Sequence, residues 1–167
     1  MAEGDGLHGS LALGGFMAVG KSTIGPRVAR RLGLPFVDLD AAVVERAGRS
    51  IARIFADDGE DGFRALERDA LAAALAETPR VIALGGGTLH QPDCLALLAG
   101  HTVRVLDVPW AELEGRLTSA ERPLADRAAS LFETRAEGYA AAGPRVAIGG
   151  LDVESATDRV VASLGGS

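Results

Sequence analysis

A glycine-rich loop that carries one lysine, between an apolar segment and a helical one, constrains this chain most. Residues 15–22 read Gly-Phe-Met-Ala-Val-Gly-Lys-Ser and fit the phosphate-loop pattern G-x-x-x-x-G-K-[ST]. Apolar residues 11–16 lead into this loop, and residues 23–32 have the composition of a helix. In such a unit the loop amides and the positive end of the helix dipole surround the phosphates of a nucleotide. The loop therefore predicts a nucleotide-binding α/β fold.

Lys21 is the only lysine of the chain, against sixteen arginines. Its ammonium is a compact point charge that can reach between β- and γ-phosphate oxygens where a planar guanidinium does not fit. The Ser22 hydroxyl is suited to ligate Mg²⁺. Ala18 replaces a glycine common in such loops, so we expect its φ to be negative. Besides Lys21 and Ser22, the predicted nucleotide site contains four loop residues: Ala18, Val19, Gly20 and Thr23.

Short apolar runs alternate with longer helical segments along the whole chain. The predicted strands are residues 11–16, 36–39, 81–84, 103–108 and 146–148. The predicted helices are residues 23–32, 41–47, 51–56, 62–76, 92–98, 110–117, 125–142 and 155–164. This alternation is typical of a buried parallel sheet with helices on its faces. With 167 residues and no linker or repeat, we expect a disordered tail at residues 1–10 and a single domain at residues 11–167.

Composition narrows the partners of the chain. A net charge of -6 and scattered arginines argue against a nucleic-acid or anionic-membrane surface. One cysteine, Cys94, rules out an internal disulfide and favours a reducing compartment. The first residues lack the basic start and apolar run of a signal peptide, and no apolar run reaches the ~20 residues of a membrane span. We therefore expect a cytoplasmic protein without membrane or nucleic-acid partners.

Two aspartates follow the second predicted strand. Strand alternation would put Asp38 and Asp40 on the same side, so that both carboxylates converge near the phosphates. One could organise the water shell of the metal while the other takes a proton from an attacking hydroxyl. The competing interpretation is a solvated strand end in which an aspartate caps the next helix.

The other candidate site residues are three glycines and three arginines. Residues 85–87 are glycines at the end of the third predicted strand, where open α/β sheets bind ligands. Arg64 lies early in a helix with Glu67 one turn away to steady it. Arg122 follows a polar stretch that could form a flap, and Arg135 lies on the next helix. Each arginine alone is more often a solvated surface residue.

Taken together, these motifs resemble the shikimate kinase family over residues 11–164. The matching strings occur in the family's order: Gly15-Phe16-Met17, Gly20-Lys21-Ser22-Thr23, Asp38-x-Asp40, Gly48-Arg49-Ser50-Ile51, Phe63-Arg64-x-x-Glu67, Gly85-Gly86-Gly87, Arg122-Pro123-Leu124 and Arg135-x-x-x-Tyr139. The resemblance implies a three-layer αβα fold with a five-stranded parallel sheet in the order 2-3-1-4-5, a short lid at about residues 116–130, and a monomer. It also implies ATP and shikimate as partners and Mg²⁺ as cofactor.

The same resemblance implies a role for each matching residue. Lys21 and Ser22 would serve the phosphates and Mg²⁺, and Asp38 would hold the metal through water. Asp40 would bind the substrate hydroxyls and act as base. On the substrate side, Arg64 and Arg135 would clamp the carboxylate, with Glu67 orienting Arg64, and Gly86 and Gly87 would contact the ring hydroxyls. On the nucleotide side, Arg116 would pack on adenine beside the pair Gly149 and Gly150. Arg122 would stabilise the transferring phosphoryl group.

The chain departs from the family between Arg116 and Arg135, where the lid and the start of the next helix are trimmed. Two alternatives to a shikimate kinase remain at this point. One is a kinase for another small hydroxy acid such as gluconate, or for a nucleotide. The other, favoured by the trimmed lid, is a non-catalytic ATP-binding protein.

Overall fold

The computed structural model describes residues 6–77, 79–118 and 125–165. Within these ranges the strands are β1 (Leu11–Gly14), β2 (Phe36–Asp38), β3 (Val81–Ala83), β4 (Thr102–Asp107) and β5 (Arg145–Ala147). The helices are α1 (Lys21–Leu32), α2 (Leu39–Ala47), α3 (Ile51–Ala76), α4 (Pro92–Leu98), α5 (Trp110–Thr118), α6 (Ala125–Ala142) and α7 (Val153–Ala162). A short 3-10 turn covers Thr88–His90.

The five strands form one parallel sheet in the order β2-β3-β1-β4-β5, which confirms the predicted order. Strand β1 lies at the centre, and its apolar residues Leu11, Ala12 and Leu13 are fully buried. Helices cover the sheet, as continuous apolar strands require. Because the strands are parallel, β1, β2 and β3 all end at one edge of the sheet. The phosphate loop, Asp38 and the triple glycine therefore meet at that edge.

Helix α3 joins two segments that the sequence predicts as separate helices. It runs through Gly59, whose backbone is not helical (φ 70°, ψ -174°). Only glycine adopts such a conformation at little cost. Just before this kink, Asp57 and Asp58 form ion pairs with Arg49, which follows the C-cap Gly48 of α2. The kink thus divides α3 into a part that packs near α2 and a part that carries Arg64.

Residues 8–10, which belong to the predicted disordered tail, make hydrogen bonds in the structure. The His8 amide donates to Thr102 Oγ1 at 2.8 Å, and the Ser10 amide donates to His101 Nδ1 at 3.0 Å. Ser10 is buried, and its hydroxyl accepts from the Arg80 amide at 3.2 Å. Residues 8–10 thus join the amino ends of the central strands. Residues 1–5 lie outside the described part of the chain.

None of the helices in the described ranges has both the length and the apolar character to cross a membrane.

The phosphate loop contains a strained residue that contradicts the sequence-based expectation. Ala18 has φ 65°, and it is the only non-glycine residue with positive φ in residues 6–77, 79–118 and 125–165. The left-handed conformation costs an L-residue with a Cβ about 1 kcal/mol or more. The expectation of negative φ was wrong because the conformation of the loop, and not the intrinsic preference of alanine, determines φ at this position.

We expect Ala18→Gly to leave the free energy of unfolding within about 0.5 kcal/mol of the original chain. Relief of the left-handed strain offsets the larger entropy that glycine gives the unfolded state. The matched control, Ala65→Gly, places glycine at an exposed position inside α3 and should cost about 1 kcal/mol. Urea denaturation without nucleotide measures both variants. Equal losses in the two variants would contradict strain at Ala18.

Candidate active site

The ammonium of Lys21 lies inside the phosphate loop at the start of α1. Its Nζ donates to the carbonyl oxygen of Gly15, and to that of Phe16 at 3.3 Å. Burial lowers the pKa of Lys21 to about 8; the positive Arg135 lowers it further, while Asp40 and Asp38 oppose the shift. The loop carbonyls thus hold a proton donor that is poorly solvated. An oxyanion placed at this ammonium would replace those carbonyls and stabilise its charge.

Asp38 accepts hydrogen bonds from two partners, one expected for a helix cap and one expected for a site beside the phosphate loop. Its Oδ1 accepts from the Ala41 amide at 3.2 Å, so Asp38 is the N-cap of α2. Its Oδ2 accepts from the Ser22 hydroxyl at 2.6 Å. The capping interpretation is therefore correct for Asp38. The same carboxylate also lies beside the phosphate loop, where its oxygen and that of Ser22 face one cavity.

Asp40 extends to the site from a helix, whereas the sequence predicts it at the end of a strand. Strand β2 ends at Asp38, and Asp40 lies in the first turn of α2, so strand alternation does not bring the two together. Both carboxylates nevertheless line a cavity of about 340 Å³ with Lys21 and Gly86. Burial raises the pKa of Asp40, with Asp38 and Glu67 adding to the shift and Lys21 and Arg64 opposing it.

The triple glycine leaves space that charged side chains occupy. A Cβ at Gly85 would lie 2.8 Å from Glu67 Oε2 and 3.1 Å from Asp40 Oδ1. A Cβ at Gly86 would lie 3.1 Å from Arg135 Nη1, and one at Gly87 would lie 2.6 Å from Arg64 Nη2. The two arginines thus pack against adjacent glycines, whose Cα atoms are about 3.8 Å apart.

Arg64 is held on one side and has a free nitrogen on the other. Its Nη1 pairs with Glu67 Oε1 at 2.9 Å, and its guanidinium lies 5.2 Å from the centre of the Phe63 ring. Glu67 is completely buried, and its second oxygen accepts from the Thr88 hydroxyl at 3.0 Å. Arg64 Nε is buried and has no hydrogen-bond partner in the described part of the chain. A buried donor of this kind indicates a missing acceptor.

Helix α6 brings Arg135 to the same place through contacts that the sequence did not predict. The Tyr139 hydroxyl donates to the Gly86 carbonyl oxygen, and burial raises the Tyr139 pKa to about 12. His90 Nε2 lies 3.1 Å from the Arg135 carbonyl oxygen, and the His90 ring packs edge-on against Tyr139 at 4.9 Å. Burial lowers the His90 pKa. Tyr139 appeared only as part of a motif, and no local pattern marked His90 or Thr88.

A second cavity of about 280 Å³ adjoins the first one and contains Arg116. Arg116 Nη1 donates to the Ala18 carbonyl oxygen at 2.8 Å. The predicted loop residues Ala18, Val19, Gly20 and Thr23 line this cavity together with Arg116, Ile148 and Asp152. On the same helix as Arg116, the Glu112 carboxylate accepts from the Gly150 amide at 3.1 Å. Arg116 thus lies at this cavity beside the phosphate loop, and Glu112 links α5 to the segment of Gly149 and Gly150.

Arg122 and the metal site are the two parts of the predicted site that stay predictions. Arg122 lies outside the described residues, as do the other residues of the predicted lid between 119 and 124. Among residues 6–77, 79–118 and 125–165, no group of three or more His, Cys, Asp and Glu side chains could hold a metal ion. Protein oxygens near the loop are those of Ser22 and Asp38, which suits an ion that takes most of its ligands from water and phosphate.

Comparison with known proteins agrees with this geometry. The family model for shikimate kinase matches residues 17–165. A shikimate kinase from Mycobacterium tuberculosis is 51% identical over 98 residues, which cover 59% of this chain and 56% of the relative. The chain thus aligns with little more than half of the length of that relative.

Solved structures extend the similarity over nearly the whole chain. A shikimate kinase from Aquifex aeolicus has a TM-score of 0.83 at 34% identity, and covers 94% of this chain and 99% of its own. A shikimate kinase from Acinetobacter baumannii in complex with shikimate also has a TM-score of 0.83, at 25% identity over 96% of this chain and 94% of its own. With the fold, the phosphate loop and the arginine pair in place, the chain belongs to the shikimate kinase family.

Proposed function

We propose that this protein transfers the γ-phosphoryl group of ATP to the 3-hydroxyl of shikimate, giving shikimate 3-phosphate and ADP. The observation that carries the proposal is the convergence of Arg64 and Arg135 on two adjacent glycines, of which Gly86 lines the cavity that contains Lys21 and Asp40. Two guanidinium groups beside a phosphate site suit a substrate that carries a carboxylate near its reacting hydroxyl. The family to which the chain belongs supports the same substrate.

On the nucleotide side, the phosphates would lie against the loop amides and the amino end of α1, with Lys21 between the β- and γ-phosphates. Arg116 would pack beside the adenine in the cavity that it lines with Ile148 and Asp152. Val19, Gly20 and Thr23 would complete the contacts of the loop. The two cavities share Ala18, Gly20 and Thr23, so a nucleotide in one places its γ-phosphate at the other.

On the substrate side, Arg64 and Arg135 would clamp the carboxylate. The unpartnered Nε of Arg64 supports this role, because a carboxylate oxygen is the acceptor that a buried guanidinium nitrogen lacks. Glu67 holds Arg64 in place, and Gly86 and Gly87 leave bare backbone beside the ring hydroxyls. Asp40 would bind the reacting hydroxyl.

Catalysis would depend on position and charge. Asp40 would accept the proton of the 3-hydroxyl as the oxygen attacks the γ-phosphorus, which breaks the bond to the β-phosphate oxygen. Lys21 would neutralise charge on the equatorial oxygens, and Arg122 would do so from the lid. Ser22 and Asp38 would hold Mg²⁺, which would supply positive charge against the phosphates when bound. Closure over the site would exclude water from the phosphoryl group.

We also propose that the protein is a single-domain monomer in the cytoplasm. The support for a cytoplasmic location is that Cys94 is a free, buried thiol, which suits a reducing compartment. Light scattering should give a mass of 17.1 kDa, the mass of one chain.

The substrate can be tested by ADP release with shikimate, gluconate and nucleoside monophosphates at equal concentrations. We expect turnover with shikimate to exceed the others by at least about 100-fold, because its ring holds a carboxylate at a fixed separation from the reacting hydroxyl, whereas gluconate is an open chain and nucleoside monophosphates carry no carboxylate. Gluconate-dependent turnover without turnover of shikimate would select a kinase for another hydroxy acid. Tight ATP binding without turnover of any of them would select a non-catalytic ATP-binding protein.

Asp40→Asn should lower kcat by about 10² to 10⁴, because the amide cannot accept the proton. The Kd of ATP should stay within about 3-fold, since Asp40 does not touch the loop amides. Asp69→Asn makes the same chemical change at an exposed position of α3 and should leave kcat unchanged. Turnover of Asp40→Asn equal to that of Asp69→Asn would remove Asp40 as the base.

The lowered pKa of Lys21 predicts how ATP capture depends on pH. In the free enzyme Lys21 loses its proton as the pH rises through about 8, so kcat/KM for ATP should fall above that pH. Bound phosphates stabilise the ammonium and raise its pKa, so kcat at saturating ATP should persist to higher pH. Initial rates between pH 6.5 and 10 measure both. A kcat/KM that stays level to pH 10 would contradict a buried, weakly basic Lys21.

A further inference from the structure

The short turn Thr88–His90 directly follows the triple glycine and contacts both helices that carry the clamp arginines. Its first residue reaches Glu67 on α3, and its last residue reaches Arg135 on α6. Neither Thr88 nor His90 was a candidate from sequence. Neither lines the cavity that contains Lys21 and Asp40. Their hydrogen bonds lead instead to the arginines, so any effect of Thr88 or His90 on the substrate would pass through Arg64 and Arg135.

The first contact supports Arg64 through Glu67. Thr88 is completely buried, and its hydroxyl donates to Glu67 Oε2 at 3.0 Å. The other oxygen of Glu67 accepts from Arg64 Nη1 at 2.9 Å. A fully buried carboxylate needs a partner for each oxygen, and Thr88 supplies one of the two. The missing side chain at Gly85 leaves the room in which the Thr88 hydroxyl and Glu67 meet.

The second contact supports Arg135 through the backbone of α6. Because a carbonyl oxygen can only accept, His90 Nε2 carries the proton and donates to Arg135 O at 3.1 Å. A Cβ at Gly138 would overlap the His90 ring. A glycine inside a helix costs about 1 kcal/mol relative to alanine, so its presence in α6 is accounted for by the ring that fills this space.

The His90 ring is also linked to the triple glycine. It packs edge-on against Tyr139, and the Tyr139 hydroxyl donates to the Gly86 carbonyl oxygen. His90 and Tyr139 together fix the position of α6 along the segment that follows β3. Arg135, one turn before Tyr139 on α6, is thereby held against Gly86.

We propose that Thr88 and His90 are positioning residues: the turn that follows the triple glycine sets both arms of the carboxylate clamp, Thr88 through Glu67 and Arg64, and His90 through Arg135. The proposal rests on the proposed function, because the clamp is read as the carboxylate site of the substrate. It assigns to one short turn the spacing of two arginines that come from different helices.

Thr88→Val removes the hydroxyl and keeps the shape of the side chain. We expect KM for shikimate to rise about 10-fold, because Glu67 loses a partner and Arg64 loses its fixed position. KM for ATP should stay unchanged and kcat should fall less than about 3-fold. Thr88→Ser restores the hydroxyl and should return KM for shikimate to within about 2-fold of the original. Gln91→Ala, just after the turn, is the matched control and should change neither constant.

His90→Phe keeps a ring and removes the donor. We expect KM for shikimate to rise about 5-fold with KM for ATP unchanged. Both arginines would bind the same carboxylate, so the double variant Thr88→Val with His90→Phe should raise KM for shikimate more than either single variant, by up to about 50-fold. The melting temperature of each variant is measured in parallel.

The methyl ester of shikimate distinguishes positioning of the clamp from general damage. The ester lacks the charge that the arginines bind, so its kcat/KM should be low in the original chain and should change little in either variant. The preference for the acid over the ester should therefore fall about 10-fold in Thr88→Val. Equal losses for acid and ester would overturn the proposal, and so would an unchanged KM for shikimate in both single variants. If Thr88→Val does not fold, Thr88→Ala and His90→Phe carry the same comparison.

Activity of the original chain is measured first, which separates the two proposals. Absence of shikimate turnover in the original chain contradicts the proposed function. Turnover of shikimate that is insensitive to Thr88→Val and His90→Phe leaves the function standing and contradicts the role of the turn.

Discussion

Three missing side chains after β3 are the constraint on which the substrate side of the site depends. The Cβ position at Gly85 lies beside Glu67 and Asp40, the one at Gly86 beside Arg135, and the one at Gly87 beside Arg64. The side chains come from α2, α3 and α6, so the glycines are the point at which three helices bring charge together. A Cβ at Gly87, 2.6 Å from Arg64 Nη2, would force that guanidinium to move, while a Cβ at Gly86, 3.1 Å from Arg135 Nη1, would require a smaller shift.

The charges at this edge depend on one another because water is largely excluded from them. Burial is the first cause of both the lowered pKa of Lys21 and the raised pKa of Asp40, and each of the two groups opposes the shift of the other. Burial thus disfavours both charges, and each of the two charges stabilises the other. A nucleotide would restore the ammonium, and a hydroxyl on Asp40 would meet a carboxylate that is more basic than usual.

Sequence determined the fold and most of the site because both follow from local patterns. The phosphate loop, the order of the strings around it and the triple glycine each occupy a few consecutive residues, and the sheet order and the convergence of Arg64 and Arg135 agree with them. The predicted strand position of Asp40 was wrong, and two residues were missed. Asp40 reaches the cavity from the first turn of α2, and Thr88 and His90 become meaningful only beside α3 and α6.

Ala18 shows why contacts between distant residues can override local preference. Its left-handed conformation is unfavourable for alanine, yet the carbonyl oxygen of this residue accepts from Arg116 at 2.8 Å. Arg116 in turn lies near Glu112, whose carboxylate accepts from the Gly150 amide. One strained peptide therefore connects the phosphate loop to α5 and to the segment after β5. Because Ala18 also lines both cavities, the same peptide lies where the base and the phosphates of one nucleotide would meet. The strained conformation of Ala18 is therefore the local cost of joining the two cavities through one peptide.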